Sequence, residues 1–334
     1  MHLAPRRYRL VALIGALALT ATACSTQASP SDAGTPAAED PAGAWPRTIT
    51  HALGETVIDE QPTTIVSTSL TLTGTLLSID APVTASAAST PSGESGDVGF
   101  FAWWADVAQE RGVEVLYPNL EYDEEAIIAA APDLIVVSTT GADATADQYD
   151  ALSAIAPTIA LDYSAASWQD MAAQLGVATG LEENATATVS AFDARLAEVR
   201  DAITVPAGTT NAVVFRGDGG DTAFAKPNGS HGQLLASLGF DVVGADDALD
   251  TSEQARTDFA FVSLENTVDA LAGETVLVVS GSDTEVEALL AEPVLANAPA
   301  VAAGQVYALG DDSFRIDYFS ASLIVDLVET LFAA

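Results

Sequence analysis

The chain is poor in positive charge and almost without cysteine. Its 334 residues include 11 Lys and Arg against 47 Asp and Glu, a net charge of −36, and one cysteine. So acidic a surface repels phosphate backbones, which excludes binding to nucleic acid through overall charge. One thiol excludes an intramolecular disulfide and a cysteine metal cage. With 49% hydrophobic residues, the chain must be stabilised by a buried core, and its length predicts about two domains.

The single cysteine ends a segment with the features of a secretory signal. A basic start (residues 6–9) precedes an apolar run (10–21), and small residues lead to Cys24. The run is shorter than the roughly 20 residues of a membrane span. We therefore expect a signal peptide over 1–23, and Cys24 resembles the lipidated first residue of a mature lipoprotein. The alternative for Cys24 is an incidental small residue at an ordinary cleavage point.

Cleavage of this signal would make cations scarcer still. Three arginines are lost, which leaves 8 basic and 47 acidic residues and a net charge of −39. The segment 24–44 is rich in Ser, Ala, Pro, Gly and Asp and predicts a flexible tether that attaches the folded part to a membrane. The remaining cations are Arg47, Arg111, Arg195, Arg200, Arg216, Lys226, Arg256 and Arg315.

From Trp45 onward, short apolar runs alternate with helical patterns. Runs rich in β-branched residues predict buried strands at 64–69, 82–85, 134–138, 157–161, 211–215, 241–243, 275–280 and 305–309. Helical spacing occurs at 143–155, 232–238, 284–290 and 320–331. Strands alternating with helices predict an α/β fold with two lobes, each a parallel-sheet sandwich.

One long segment separates the two halves. Residues 182–203 contain neither Gly nor Pro and carry apolar residues at helical spacing, which predicts a continuous inter-lobe helix about 33 Å long. The predicted domains are therefore an N-terminal lobe over 45–181 and a C-terminal lobe over 204–334.

Four separated segments carry a family resemblance. The runs 65–83, 149–158, 167–169 and 313–321 resemble, in this order, the ferric-enterobactin-binding branch of the helical-backbone ABC-transporter substrate-binding proteins. That class captures ferric siderophores, haem and cobalamin. The resemblance implies a class III periplasmic-binding-protein fold, no enzymatic activity, no cofactor, a ferric siderophore as ligand and an ABC-importer permease as partner.

A ferric catecholate is a bulky aromatic trianion whose iron is bound within the chelate, so its pocket needs cations and aromatic faces and no protein metal ligand. The resemblance implies a ligand contact for Arg315. Near the ends of predicted strands lie Arg216 and Lys226, and the aromatic pair Trp103 and Trp104 could supply a stacking face. The alternatives are surface pairing of Arg216 with a neighbouring aspartate and core positions for the tryptophans.

The family pattern also differs from this chain at the site. It has an arginine and a tryptophan where this chain has Ala102 and Ala225, whereas the places of Arg216 and Lys226 are not basic in it. We therefore expect an anionic, catecholate-type ferric siderophore, with haem or cobalamin capture as the alternative. His231 is expected in a solvent-exposed loop.

The class also implies a docking surface with one acidic residue on each lobe. By motif position these are Glu125 and Glu265. Solvated helix starts are the alternative for both.

The sequence lacks the enzyme motifs of a nucleophile elbow, a Walker loop and His-Glu-x-x-His. Only His51 and His231 remain after cleavage, which are too few for a histidine zinc site.

Overall fold

The computed structural model describes residues 44–334 except 165 and 253–255. The predicted signal peptide (1–23), the lipidation site Cys24 and all of the predicted tether except Ala44 lie outside the described residues. Within the described residues, no helix is long and apolar enough to cross a membrane. The part from residue 44 onward belongs to one compact unit.

The first lobe opens with an antiparallel hairpin and continues as a five-stranded parallel sheet. The hairpin strands are β1 (Arg47–His51) and β2 (Gly54–Ile58). The sheet has the order β5-β4-β3-β6-β7, with β3 (Ile65–Ser67), β4 (Val83–Ser86), β5 (Glu114–Val115), β6 (Leu134–Ser138) and β7 (Thr158–Leu161). Its helices are α1 (Leu70–Ser78), α2 (Ala102–Glu110), α3 (Glu124–Ala130), α4 (Tyr149–Ser153) and α5 (Trp168–Thr179).

The second lobe is built on a six-stranded sheet. Its strands are β8 (Thr209–Val214), β9 (Thr222–Ala225), β10 (Asp241–Val242), β11 (Phe259–Val262), β12 (Thr275–Val278) and β13 (Val306–Ala308). The order is β11-β9-β8-β12-β13, and β10 also pairs with β8. Its helices are α7 (Ser230–Ser237), α8 (Leu264–Ala270), α9 (Asp283–Ala291), α10 (Pro299–Ala303) and α11 (Tyr318–Phe332).

The connector between the lobes is the helix α6 (Glu182–Ala202), 21 residues long. It lacks Gly and Pro, and its buried residues Phe192, Leu196 and Val199 recur at helical spacing. Phe192 lies edge-on to Trp168 of α5 at 4.9 Å between ring centroids and also contacts Tyr318 of α11 at 6.4 Å. The connector therefore packs against helices from both halves of the chain.

These elements confirm the predicted two-lobed α/β fold, with one difference in the second sheet. There β9 runs antiparallel to β8 and β11 antiparallel to β9, so the sheet is mixed rather than wholly parallel. The glycine-rich stretch 217–220 lies in the segment that connects β8 to β9. The lobe boundaries at 181 and 204 stay a prediction, because one buried core cluster includes residues of both sheets.

A second difference concerns the helix predicted over 143–155. The structure has a single 3-10 turn at 146–148 and the short helix α4 there. Asp143 is instead buried at 6% exposure and accepts hydrogen bonds from neighbouring loops. A buried carboxylate needs such donors, which a regular helix start at that position would not supply.

The parallel strands position the loops that form the site. Because parallel strands end at the same edge of a sheet, the segments after β6 and β7 meet at one edge of the first lobe. The segments after β8, β12 and β13 likewise meet at one edge of the second lobe. Arg216 follows β8 and Arg315 follows β13, so the two predicted ligand residues emerge from the same edge.

Candidate functional site

A cavity of about 910 Å³ lies between the lobes, which is in the upper part of the range for small-molecule sites. The first lobe lines it with polar and small residues that follow β6 and β7: Thr139, Thr140, Gly141, Ala142, Ala144, Asp162 and Ser164. The second lobe adds two hydroxyl residues and five charged or aromatic residues: Ser252, Thr257, Arg256, Asp258, Phe261, Phe314 and Arg315. We call this cavity the cleft.

Arg315 lines both the cleft and two smaller cavities beside it. Its Nη1 donates a hydrogen bond to the Tyr163 hydroxyl at 3.2 Å, and its guanidinium carbon lies 5.0 Å from the ring centroid of Phe314. Its backbone carbonyl accepts a 2.6 Å hydrogen bond from the Ser320 hydroxyl, which fixes the loop before α11. Arg315 is thus held by aromatic rings and a hydroxyl, and its charge is available to a ligand.

Tyr163 connects Arg315 to a buried polar network of the first lobe. Its hydroxyl donates to Asp143 Oδ1 at 2.9 Å, and the Ser69 hydroxyl donates to Asp143 Oδ2 at 2.7 Å. Burial raises the pKa of Tyr163 above its ordinary value, so the phenol keeps its proton. Gly141, at φ +86°, leaves room for this hydroxyl, because a Cβ there would overlap it. The network orients the Tyr163 hydroxyl toward Arg315.

A smaller cavity of about 200 Å³ adjoins the cleft and shares Ala142, Phe314 and Arg315 with it. The half-buried Glu94 lines this smaller cavity. Burial raises the pKa of Glu94, whereas the charges of Arg315 and Arg216 oppose that shift. Two of the three arginines of the second lobe, Arg315 and Arg216, therefore lie within electrostatic reach of one first-lobe carboxylate.

Most cations of the described residues are already neutralised by a carboxylate. Ion pairs within the described ranges are Arg47–Glu182, Arg111–Asp80, Arg195 with Asp326 and Glu329, Arg200–Asp201, Lys226 with Asp247 and Asp250, and Arg256–Asp258. Between 44 and 334, leaving aside the four undescribed positions, Arg216 and Arg315 have no such partner. We call these two residues the free arginines.

Arg216 is exposed, and its predicted alternative, a surface pair with a neighbouring aspartate, does not form among the described residues. Lys226 is placed differently. Its Nζ lies 3.4 Å from Asp250 Oδ2 and 3.8 Å from Asp247 Oδ1, and its side chain does not line the cleft. Its role as a ligand residue stays a prediction.

The two tryptophans have different surroundings. Trp104 has no exposed surface and packs against Phe100 at 5.2 Å between ring centroids. Trp103 is half-buried, stacks on Phe101 at 4.4 Å, and its Nε1 donates to Asp317 Oδ2 at 2.9 Å. Neither lines the cleft. Stacking on a ligand stays a prediction for both, and Trp103 has the greater exposure.

His231 is not in a solvent-exposed loop, as the sequence led us to expect. It lies in the first turn of α7 with 4% exposure, 2.7 Å from the backbone carbonyl of Ser313. Burial lowers the pKa of His231 to about 4, although this hydrogen bond acts against the shift. The ring is therefore neutral at pH 7, and its Nε2–H donates to the carbonyl. Its place is structural, beneath the loop that carries Arg315.

Known proteins share this arrangement. A family model described as "Periplasmic binding protein" matches residues 65–313, which is most of the chain. The chain belongs to the periplasmic binding protein family. Membership confirms the predicted resemblance and makes this chain a binding protein and not an enzyme.

Two relatives of this family illustrate the match in sequence. The ferric enterobactin-binding periplasmic protein FepB of Escherichia coli O6:H1 is 40% identical over 291 residues, which are 86% of this chain and 91% of FepB. The putative ABC transporter substrate-binding lipoprotein YhfQ of Bacillus subtilis is 28% identical over 198 residues, 58% of this chain and 57% of YhfQ.

Solved structures agree with the fold. Holo-ViuP superimposes with a TM-score of 0.82 at 42% identity, covering 87% of this chain and 96% of ViuP. The periplasmic catecholate-siderophore binding protein VctP of Vibrio cholerae has a TM-score of 0.61 at 19% identity, covering 86% of this chain and 100% of VctP, and supports the fold alone. The class III arrangement of two lobes on one long helix is thereby confirmed.

The two acidic residues predicted for docking have equivalent places in this periplasmic binding protein. Glu125 is the second residue of α3, which precedes β6, and Glu265 is the second residue of α8, which precedes β12. Both side chains are exposed. Since β6 and β12 are the inner strands of their sheets, the two glutamates occupy matching positions of the two lobes. Their role in docking stays a prediction.

Some residues of the cleft and of its surroundings were not predicted. Arg256 was among the eight scarce cations, so charge alone could have pointed to it. It forms a two-bond pair with Asp258 at 2.9 and 2.6 Å. Tyr163 comes two residues after the predicted strand 157–161, a position that indicates an edge residue. Glu94 carried no signal, because it is one of 47 acids. Within the described ranges, no group of three metal-ligating side chains occurs.

Proposed function

We propose that the chain captures an anionic ferric siderophore of the catecholate type in the cleft and delivers it to an ABC importer for iron uptake. The iron stays within its chelate, so the protein recognises the negative charge and the aromatic rings of the ligand. Haem or cobalamin capture by the same fold is the alternative carried forward from the sequence.

The observation that carries this proposal is the pair of free arginines. In a chain with a net charge of −36, cations are few, so a cation without a carboxylate partner is unusual. The six other cations of the mature sequence each have a carboxylate partner in the structure. Arg315 lines the cleft, and Arg216, which does not line it, follows β8 at the same edge of the second-lobe sheet. We propose that both neutralise part of the charge of a trianion.

The energies fit such a ligand. A charge-assisted hydrogen bond contributes about 1.5–3 kcal/mol, so two arginines supply a sizeable part of the roughly 8 kcal/mol of a micromolar complex. Phe314 and Phe261 add aromatic faces in the cleft, and Trp103 remains a candidate for a third. The name of FepB, which matches 86% of this chain, supports enterobactin-like ligands.

Delivery and location follow from the family. We propose that Glu125 and Glu265 dock the loaded protein on basic residues of the permease. We also propose an extracytoplasmic protein anchored by a lipid on Cys24, for which the lipoprotein name of YhfQ gives distant support. Metabolic labelling with a fatty-acid analogue tests the anchor: label is expected in the full chain and absent from a Cys24→Ser variant.

Tryptophan fluorescence tests the ligand assignment. The protein is titrated in parallel with ferric enterobactin, a ferric hydroxamate, haem and cobalamin. We expect ferric enterobactin to quench its tryptophan fluorescence at micromolar concentration or below. Free enterobactin without iron and a tryptophan solution titrated with each ligand control for absorption of light by the ligand. A response to haem or cobalamin alone would favour the alternative, and no response to any ligand would overturn both.

A further inference from the structure

Glu94 is a carboxylate in a place where an anion-binding site is least expected to have one. It lines the small cavity beside Arg315, together with Ser92, Ser95 and the buried Asp143. Its segment is held in place, because the Ser95 hydroxyl donates to the Thr90 carbonyl at 2.7 Å. The backbone carbonyl of Glu94 itself accepts a 2.8 Å bond from the amide of Ala102 at the start of α2. The carboxylate is therefore not carried on a loose loop.

The side chain of Glu94 is half-buried, and no protein group pairs with it among the described residues. In the described part of the chain, its carboxylate has no hydrogen-bond donor and no cation at ion-pair distance. Arg315 lines the same cavity as Glu94, and its charge lowers the pKa of that carboxyl. Arg216, which does not line this cavity, acts in the same direction, and Asp312 acts in the opposite one. Asp143, the other acid of this cavity, differs because Ser69 and Tyr163 donate to it. Glu94 is thus the acid of the site that responds to changes in the surrounding charge.

We propose that Glu94 is the internal counter-charge of the free arginines and that it makes capture of an anionic chelate dependent on pH. This inference rests on the proposed function. With Glu94 ionised, its charge compensates part of the charge of the two arginines from the small cavity that adjoins the cleft. A bound trianion replaces Glu94 as the partner of the arginines and faces a carboxylate that it repels.

The direction of the effect follows from charge. Repulsion between the chelate and Glu94 favours the neutral acid, so the carboxyl takes up a proton as the ligand binds. Burial has already raised the pKa of Glu94 in the free protein, which brings this protonation closer to neutral pH. Affinity is therefore highest at a pH below the pKa of Glu94 and falls as pH rises through it.

Glu94 differs from a ligand-binding residue, because removal of its charge is expected to strengthen binding of the chelate.

The test compares ferric enterobactin binding by the full chain and three variants at about pH 6 and about pH 8. Glu94→Gln removes the charge at constant size and is expected to tighten binding about fivefold or more at pH 8 and less at pH 6. Glu94→Asp keeps the charge and is expected to retain the pH dependence. Asp97→Asn, which removes an exposed acid of the same segment, controls for overall charge and is expected to bind like the parent.

Ratios of dissociation constants at each pH cancel the titration of the ligand itself, because every variant meets the same chelate. Calorimetry in two buffers of different ionisation enthalpy measures proton uptake, which is expected for the parent and lost in Glu94→Gln. Equal affinity and equal proton uptake of Glu94→Gln and the parent would overturn the inference while leaving the proposed function intact. Weaker binding by Glu94→Gln would also overturn it, whereas no binding by the parent would overturn both.

Discussion

The two lobes contribute different chemistry to the site around Arg315. The first lobe supplies hydroxyls and carboxylates, among them Tyr163, Asp143 and Glu94, and the second supplies Arg315 and Phe314, with Arg216 after a strand at the same edge. The hydrogen bond from Arg315 to Tyr163 joins the two walls. Arg315 belongs to the second lobe, whereas the Tyr163–Asp143 network that positions it belongs to the first. We therefore expect ligand affinity to depend on the packing of the two lobes against each other through α6 and α11.

The matching glutamates test the lobes as equal partners in delivery. Reversing both charges, with Glu125→Arg and Glu265→Arg, is expected to abolish uptake of ferric siderophore by cells and leave the dissociation constant unchanged, because both side chains lie outside the cleft. Each single reversal is expected to reduce uptake. Glu110→Arg with Glu198→Arg, which reverses two other exposed acids, serves as the control. Loss of ligand affinity would mean that Glu125 or Glu265 belongs to the ligand site and not to a docking surface.

Arg315 tests the cationic wall. Arg315→Ala is expected to weaken ferric enterobactin binding at least about tenfold, since one charge-assisted contact exceeds the 1.4 kcal/mol of a tenfold change. Arg315→Lys is expected to recover part of this loss, because the charge remains but the planar fork is gone. Arg195→Ala removes an arginine paired far from the cleft and is expected to change nothing. Unchanged affinity of Arg315→Ala would remove this residue from the site.

Substitution of Tyr163 tests the hydrogen bond that connects the two lobes at Arg315. Tyr163→Phe deletes the hydroxyl that receives the bond from Arg315 and donates to Asp143. Loss of one such hydrogen bond corresponds to about 1 kcal/mol, so we expect binding to weaken about fivefold. The effect of Tyr163→Phe should disappear in an Arg315→Ala background. A full additional loss in that background would show that the hydroxyl acts on the ligand independently of Arg315.

Asp317 connects the lobes outside the cleft, because it accepts a hydrogen bond from Trp103 of the first lobe. It is fully buried at the start of α11, and burial raises its pKa to about 6, although hydrogen bonds from Ser320, Trp103 and Phe319 act against the shift. Because the folded pKa lies above the unfolded value, the folded state binds the proton more tightly. This group therefore favours folding below pH 4, and that contribution is lost as pH rises toward about 6, by about 2–3 kcal/mol in all.

Urea unfolding of the parent and of Asp317→Asn across that range measures this contribution of Asp317. The difference between their free energies of unfolding is expected to change between about pH 4 and about pH 6 and to be constant above it. Using the difference removes the general repulsion among the other acids. A difference that does not vary with pH would mean that Asp317 titrates normally in the folded protein.

Much of this architecture is predictable from local patterns, but the geometry of the cleft is not. The glycine- and proline-free run 182–203 identified the connecting helix, and β-branched runs identified eight strands. The antiparallel β9 and β11 were missed because a four-residue strand such as Thr222–Ala225 has too little periodicity to distinguish it from a loop. The family resemblance pointed to Arg315, and the scarcity of cations pointed to Arg216. The position of Glu94 beside Arg315 depends on long-range contacts that no local pattern reveals.

A crystal structure with bound ferric enterobactin tests the central claim most directly. We expect the chelate in the cleft, with Arg315 and Arg216 donating hydrogen bonds to catecholate oxygens and with Phe314 against a ring. A chelate that binds elsewhere, or that lies in the cleft and contacts neither arginine, would contradict this binding mode.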